Sequence, residues 1–295
     1  MNAFHVPVLM RAVIEGLDIS PGKRYVDATV GGGGYGLEII RRGGLLLGID
    51  RDSDAIGMAG QKFEAQSSFG KGAQKAWKLI RGNFRDIKAI AQENGFSKVD
   101  GVLFDLGVSS HQLDTPERGF SFRSPGMPLD LRMDQSSGIP AGAYIQSMPE
   151  SDLYEIFTAY GEEKFARTIA GSIVRARHIA QIRSVGDLLR VVDAAVGSRK
   201  NTIGTYARIF QALRIAVNDE LSALKEGVTG ALEIVKIHGR VAIISYHSLE
   251  DRIVKRAFNR PDIMAVNKRP ITPGNEEIRV NSRSRSAKLR IAEKL

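Results

Sequence analysis

The sequence predicts an α/β fold: a doubly wound parallel sheet interrupted by an α-helical insertion. Three observations predict it. Short apolar strands alternate with helical periodicity over the first hundred residues. A turn made almost wholly of glycine, Gly31-Gly32-Gly33-Gly34-Tyr35-Gly36, joins the first strand to its helix. A strand pattern returns at Arg240-Val241-Ala242-Ile243-Ile244-Ser245-Tyr246, after a long helical stretch.

In order, residues 8–17 have the apolar spacing of a helix packed on a sheet. Pro21-Gly22 is a turn, followed by a strand near 24–29, a helix near 36–42, a strand near 45–49 and a helix over 52–61. Residues 66–72 read as a polar loop, and Trp77-Lys78-Leu79-Ile80 as the third strand, with the single tryptophan in the core. A helix over 85–93 leads to the fourth strand, Asp100-Gly101-Val102-Leu103-Phe104-Asp105. Residues 106–140 show no period, and a loop this long in a compact domain is usually functional. The stretch 142–216 reads as helical, with Ser151 and Ser184 as N-caps. A helix over 218–237 follows, ended by Gly239 in a left-handed cap, and then the fifth strand, a basic helix and a basic, loop-rich tail. The expected division is a sheet domain of 1–113 with 217–295, and a helical substrate-recognition domain of 114–216.

In such sheets ligands sit at the carboxyl ends of the strands, so Thr29, Asp50, Phe84 and Asp105 converge on one crevice. Glycine lets a bulky ligand approach the backbone because no Cβ intervenes. Asp50 ends the second strand about 20 residues after the turn, placed to accept hydrogen bonds from a ribose. Gly31-x-Gly33-x-x-Gly36 also matches the dinucleotide fingerprint. Asp27, just before the glycines, suits a ligand with a positive centre and an amino group, such as S-adenosylmethionine, better than a pyrophosphate. A nicotinamide or flavin dinucleotide and a plain structural turn stay open on the turn alone.

The net charge is +9, and it is uneven. Residues 161–215 carry 10 Lys and Arg against 4 Asp and Glu, and residues 255–295 carry 11 against 4. Together these give +13 and leave −4 for the rest of the chain. Basic charge confined to two stretches suggests a polyanion, nucleic acid above all, with solvated basic helices as the alternative. Absence of cysteine excludes disulfides and thiolate metal sites. No metal site is evident. No apolar run approaches the roughly 20 residues that span a bilayer, and the N-terminus lacks a signal-peptide layout. The expectation is a soluble, cytoplasmic protein with no membrane contact.

Longer motifs carry a family resemblance. They include His5-Val6-Pro7-Val8-Leu9, the glycine turn, Gly48-Ile49-Asp50-Arg51-Asp52 and Asp105-Leu106-Gly107-Val108-Ser109-Ser110 with Gln112-Leu113-Asp114. Further on are Glu117-Arg118-Gly119-Phe120-Ser121-Phe122, Pro128-Leu129-Asp130-Leu131-Arg132-Met133-Asp134, Tyr160-Gly161-Glu162-Glu163 and Phe210-Gln211-Ala212-Leu213-Arg214-Ile215. Ser245-Tyr246-His247-Ser248-Leu249-Glu250-Asp251-Arg252 and Ser284-Arg285-Ser286-Ala287-Lys288-Leu289-Arg290 complete them. Over nearly its whole length the chain resembles the bacterial 16S ribosomal RNA (cytosine N4)-methyltransferase family, RsmH or MraW. The resemblance implies a class I, Rossmann-like, S-adenosylmethionine-dependent methyltransferase with an inserted helical domain. It implies methylation of the N4 amino group of one cytidine in the decoding region of 16S ribosomal RNA, within the small ribosomal subunit, by a monomer or homodimer. Family cofactor contacts carry over to Gly33, Gly34, Tyr35, Asp50, Phe84, Asp105 and Gln112. Tyr35 stands where the family usually has His, and Tyr206-Ala207-Arg208-Ile209 where it commonly reads Ala-Thr-Arg-Thr.

Two residues are candidates for the chemistry. Asp105, or a backbone carbonyl of the turn after it, is placed to accept a hydrogen bond from N4; the alternative is that Asp105 binds cofactor only. His247, just beyond the fifth strand, either touches the target cytidine or orients the loop. Phe84 lies against an adenine or belongs to the core. The target base is expected to leave its stack, and phosphate contacts from the two basic segments should weaken with salt. The rivals are a dinucleotide-dependent oxidoreductase and a non-catalytic RNA-binding or assembly factor.

Overall fold

A computed structural model of the chain describes residues 7–66, 75–197 and 202–295. Outside them lie His5 and Val6, the expected loop over 66–72 apart from Gln66, and Arg199 and Lys200 of the expected helical stretch. The chain forms two compact units, one of 1–107 with 221–295 and the other of 108–220. The second is wider at both edges than the 114–216 read from the sequence. Val108, Leu113 and Val217 pack into its apolar core, which draws them into it.

The first unit begins with α1 (Met10–Gly16), β1 (Arg24–Asp27), α2 (Gly34–Arg41), β2 (Leu45–Asp50), α3 (Ser53–Gln66), β3 (Trp77–Arg81), α4 (Ile87–Glu93) and β4 (Val99–Asp105). The second unit contributes α5 (Ser110–Asp114), α6 (Ala141–Ser147), α7 (Glu150–Ala159), α8 (Ala166–Ile179), α9 (Val185–Val196) and α10 (Thr202–Asn218). The chain then completes the first unit with α11 (Glu220–Ile234), β5 (Val235–Ser245), α12 (Ser248–Ala257), β6 (Ile263–Ala265), α13 (Asn275–Val280) and β7 (Lys288–Lys294). Glu220, the first residue of α11, is the last of the helical unit.

The sheet order is β3-β2-β1-β4-β5-β7-β6. All pairings are parallel except those of β7, which runs antiparallel to β5 and β6. Successive side chains of a strand point to opposite faces, and here both faces are apolar. Val26, Leu47, Ile49, Val102, Phe104, Val241 and Ile243 enter one buried layer with Ile87, Leu224 and Val228 of the helices. Their neighbours Tyr25 and Leu46 pack on the opposite face with Ile14, Ile39 and Phe63. Leu103, Ala242 and Ile244 pack there with Val13 and Leu17. Burial on both faces is what a parallel sheet requires. Each fully buried Leu, Ile or Phe contributes roughly 1.5–3 kcal/mol.

Three local expectations are corrected. Gly239 does not cap a helix, because α11 ends at Ile234 and the chain enters β5 at once. Val99 pairs with Val235 and Gly101 with Arg240, so residues 236–239 bulge out opposite Asp100. The left-handed residue of that bulge is His238, with φ 62°. Gly239 is needed for space, since a Cβ there would lie 2.7 Å from Val235 Cγ2 and 3.0 Å from the Asp100 carbonyl. Ser151 lies inside α7, whose N-cap is Pro149 with its φ held at −57°. Finally, 106–140 contains α5, started by a capping box in which Ser109 Oγ accepts from Gln112 N and Gln112 Oε1 accepts from Ser109 N. The Ser-x-x-Gln signal was present in the sequence. The expected cap at Ser184 forms the same reciprocal pair with Asp187.

The helical unit has its own core, around Phe120, Leu129, Ile145, Phe157, Ile169, Ile173, Leu188, Ile209 and Leu213. Asn218, 4% exposed, ties its irregular segment down. Its Oδ1 accepts from Met133 N at 2.8 Å, and its Nδ2 donates to the carbonyls of Leu131 at 2.7 Å and Arg214 at 2.9 Å. Leu131 is itself strained, with φ 62°. Asn218→Ala should therefore destabilise this unit by about 2–4 kcal/mol, because it strands buried backbone groups. Denaturant unfolding checks this; a change below about 0.5 kcal/mol would contradict it.

Candidate active site

The strand order reverses between β1 and β4, because β2 and β3 extend to one side and β5 to the other. At such a switch point the loops part and leave a crevice at the carboxyl ends of the strands. The chain leaving β1 is stitched to both neighbours. Ala28 N donates to the Leu103 carbonyl and Val30 N to that of Ile49, each at 2.9 Å. Asp105 N donates to Thr29 Oγ1 at 2.7 Å. Gly31 N donates to Asp50 Oδ2 at 2.9 Å, and Asp50 Oδ1 accepts from Asp52 N at 2.9 Å. Thr29, Asp50 and Asp105 are thus linked by hydrogen bonds around the turn after β1.

The four glycines differ in what requires them. Gly33, at φ 74°, is the N-cap of α2, and a Cβ on it would lie 2.7 Å from the Phe63 ring. A Cβ on Gly34 would lie 2.3 Å from Pro7. Both Cα faces are therefore filled by packing within the chain. Cβ positions at Gly31 and Gly32 have no heavy atom closer than 3.8 and 3.7 Å.

Asp27 is wholly buried. Its Oδ1 accepts from Thr29 N at 3.2 Å, while Oδ2 is buried with no hydrogen-bond partner. Burial pushes its carboxyl up to about 8, reinforced by the nearby charges of Asp105 and Asp50. Burial raises Asp105 to about 7, against the pull of the Tyr246 and Tyr35 hydroxyls. Asp50 rises to about 6 for the same reason, against the bonds from Asp52 N and Gly31 N. The strand ends thus hold three carboxylates that resist ionisation unless a positive charge joins them.

This has a stability consequence. Between the unfolded value of 3.8 and about 8, folded Asp27 keeps a proton that the unfolded chain has lost. Stability therefore falls as pH rises through that window. The melting temperature should decline between pH 5 and 8, and Asp27→Asn should flatten the decline. Parallel pH profiles for the two proteins would contradict this.

The other expected residues are placed as follows. Tyr35 is 4% exposed, and its hydroxyl donates to the Val8 carbonyl. Phe84, partly exposed, packs edge-on against Phe104 with ring centroids 5.7 Å apart. Gln112 is in the helical unit, 4% exposed, where it closes the α5 cap. His247 is the N-cap of α12: Nδ1 accepts from Glu250 N at 3.4 Å, and Nε2 lies 3.2 Å from Glu250 Oε1. Tyr246 was not singled out from the sequence. Its hydroxyl donates to Asp105 Oδ1 at 2.7 Å. An aromatic residue just past a strand that borders the switch point was the available signal.

Several arginines of the first basic stretch are occupied within the helical unit. Arg177 donates to the carbonyls of Ile145 and Met148. Arg208 pairs with Glu163 at 2.7 Å, and Arg214 grips Glu220 at 2.9 and 3.0 Å. Net charge counted along the chain therefore overstates what this stretch offers a polyanion. Among the described residues, no helix is long and apolar enough to cross a membrane.

Fold and site together define an open α/β protein with a mostly parallel sheet and a cluster of acids at its switch point. A family model, the MraW methylase family, matches residues 2–295, and the chain belongs to that family. It is 42% identical over 316 residues to the ribosomal RNA small subunit methyltransferase H of Heliobacterium modesticaldum, covering 99% of this chain and 98% of that one. Among solved structures, TrmN from Thermus thermophilus is 14% identical with a TM-score of 0.47, covering 97% of this chain and 48% of that one. An rRNA methylase from Streptococcus thermophilus is 12% identical with a TM-score of 0.45, covering 97% and 93%. At these levels neither structure bears on individual residues.

Proposed function

We propose that this chain transfers a methyl group from S-adenosylmethionine to the N4 amino group of a cytidine in the decoding region of 16S ribosomal RNA. Family membership and the name of the 42% identical relative support methyl transfer to small-subunit rRNA. The resemblance of the motifs supports the cytidine N4 position.

The observation that carries the choice of donor is the carboxylate trio around the glycine turn. A buried Asp27 with an unpartnered oxygen, beside Asp105, fits a cationic ligand. It opposes the pyrophosphate of a dinucleotide, so the oxidoreductase reading finds no support. Asp50, already fixed by two backbone donors, holds the ribose. Gly33, Gly34 and Tyr35 line the donor through their backbone, and Phe84 lies against the adenine. Gln112 is retained as a donor contact on the resemblance alone. When bound, the donor supplies a methyl group on a sulfonium, whose carbon–sulfur bond breaks as the nitrogen–carbon bond forms.

The residues of the chain position and deprotonate. Cytosine N4 is a poor nucleophile because its lone pair is delocalised into the ring. Asp105 accepts an N4–H bond, which favours rotation of that lone pair out of conjugation, and takes the proton that N4 loses. Holding the reactants in line accounts for much of the rate. His247 orients the turn through Glu250 rather than touching the base. The helical unit and the basic tail hold the rRNA, in the small ribosomal subunit, through phosphate contacts that weaken with salt.

The test is mass spectrometry of 16S rRNA nucleosides from cells with and without the gene, paired with methyl transfer by the purified protein to small subunits and to bare rRNA. Loss of one N4-methylated cytidine, restored by the protein, is expected. Unchanged nucleosides, or no donor binding at millimolar concentration, would overturn the reading.

A further inference from the structure

We infer that Tyr246 is a positioning residue for Asp105: its hydroxyl fixes the carboxylate's orientation and sustains its ionised, proton-accepting form. The inference rests on the acceptor role given to Asp105 above.

Tyr246 follows the last residue of β5 and has little freedom there. Its backbone N donates to Glu250 Oε2 at 2.7 Å, and Glu250 is 3% exposed. Its ring borders the turn after β4, since a Cβ on Gly107 would lie 3.5 Å from Tyr246 Cδ2. Gly107, at φ 90°, lets the turn fold back there. From this position the hydroxyl reaches Asp105 Oδ1 at 2.7 Å.

The groups facing Asp105 make that contact decisive. Asp27 at the end of β1 and Glu250 of α12 are acidic and oppose its ionisation. Glu277 of α13 faces Tyr246 and adds to the negative surroundings. Tyr35 of α2 also lies beside the carboxylate and pulls it towards ionisation, but its hydroxyl donates to the Val8 carbonyl as well. Thr29 engages the backbone N of Asp105, not its side chain. Tyr246 gives the stronger of the two hydroxyl contacts, with its proton directed at Asp105 Oδ1. Burial and these charges raise the Tyr246 phenol far above its ordinary value, so it keeps its proton across the working range.

Removing the hydroxyl should favour the protonated acid. A hydrogen bond to a charged group is strong enough to move a carboxyl by about one pH unit. The experiment is carboxyl ¹³C NMR titration of Asp105 in the donor-free protein, for the parent, Tyr246→Phe and a protein carrying 3-fluorotyrosine at 246. Alongside it, single-turnover methylation of small ribosomal subunits is measured from pH 6 to 9. Tyr246→Phe should raise the midpoint by about one unit and shift the acid limb of the rate profile equally, with turnover recovering towards pH 9. The fluorinated residue, a stronger donor, should lower the midpoint, and it serves if the Phe variant folds poorly. An unmoved midpoint in both proteins overturns the inference, as does a uniform loss of rate at every pH. A shifted midpoint with parental turnover in Asp105→Asn would keep the Tyr246–Asp105 coupling and remove the acceptor role.

Discussion

Asp105→Asn is expected to lower methyl transfer at saturating donor by about a hundredfold or more, while donor affinity changes by less than about fivefold. Asparagine keeps the shape and the contact with Tyr246 but cannot take a proton, and positioned proton transfer is typically worth 10²–10⁴ in rate. Burial raises the donor-free Asp105 carboxyl to about 7 and a bound sulfonium lowers it again, so the parental rate should fall with a slope of one at a pH below 7 as the carboxylate is protonated. The variant should lose that limb. Single-turnover kinetics and calorimetric donor binding read the two quantities separately. Weakened donor binding with normal turnover at saturation would make Asp105 a cofactor ligand only.

Asp50→Ala should act on the other side of the same division. Asp50 organises the turn it faces by accepting from Gly31 N and Asp52 N, and the proposed function gives its remaining lone pairs to a ribose. Loss of charge-assisted bonds worth about 1.5–3 kcal/mol each should weaken donor binding by about a hundredfold or more. Asp50→Asn, which keeps an acceptor, should lose less. Turnover at saturating donor should change far less than affinity in both. A dissociation constant within about threefold of the parent in Asp50→Ala would contradict the ribose role.

Much of the fold is legible in the sequence. Strand periodicity placed β1 to β4 to within two residues, since the sheet's apolar positions are dense and its turns carry glycine and proline. Ser184 was readable as a cap because its signal lies within four residues. Asp27, Asp50 and Asp105 stood out because an acid ending an apolar strand is unusual in local terms. The failures share a different cause. Gly239 looked like a helix cap but meets the carbonyl of Asp100, far away in sequence. Arg177, Arg208 and Arg214 looked like surface charge and prove to be internal fastenings. Asn218 gave no local hint of its bonds to Leu131 and Met133.

The sequence alone determined the class of fold, the position of the glycine turn and the acids at the strand tips, because each depends on residues within about ten positions of one another. Only the tertiary structure decided which glycines are closed by packing, that Asp27 is buried with an unpartnered oxygen, and that Tyr246 reaches Asp105 across 141 positions of chain. Burial and long-range hydrogen bonding set a carboxylate's charge. Both arise only when distant segments meet, so no local pattern encodes them.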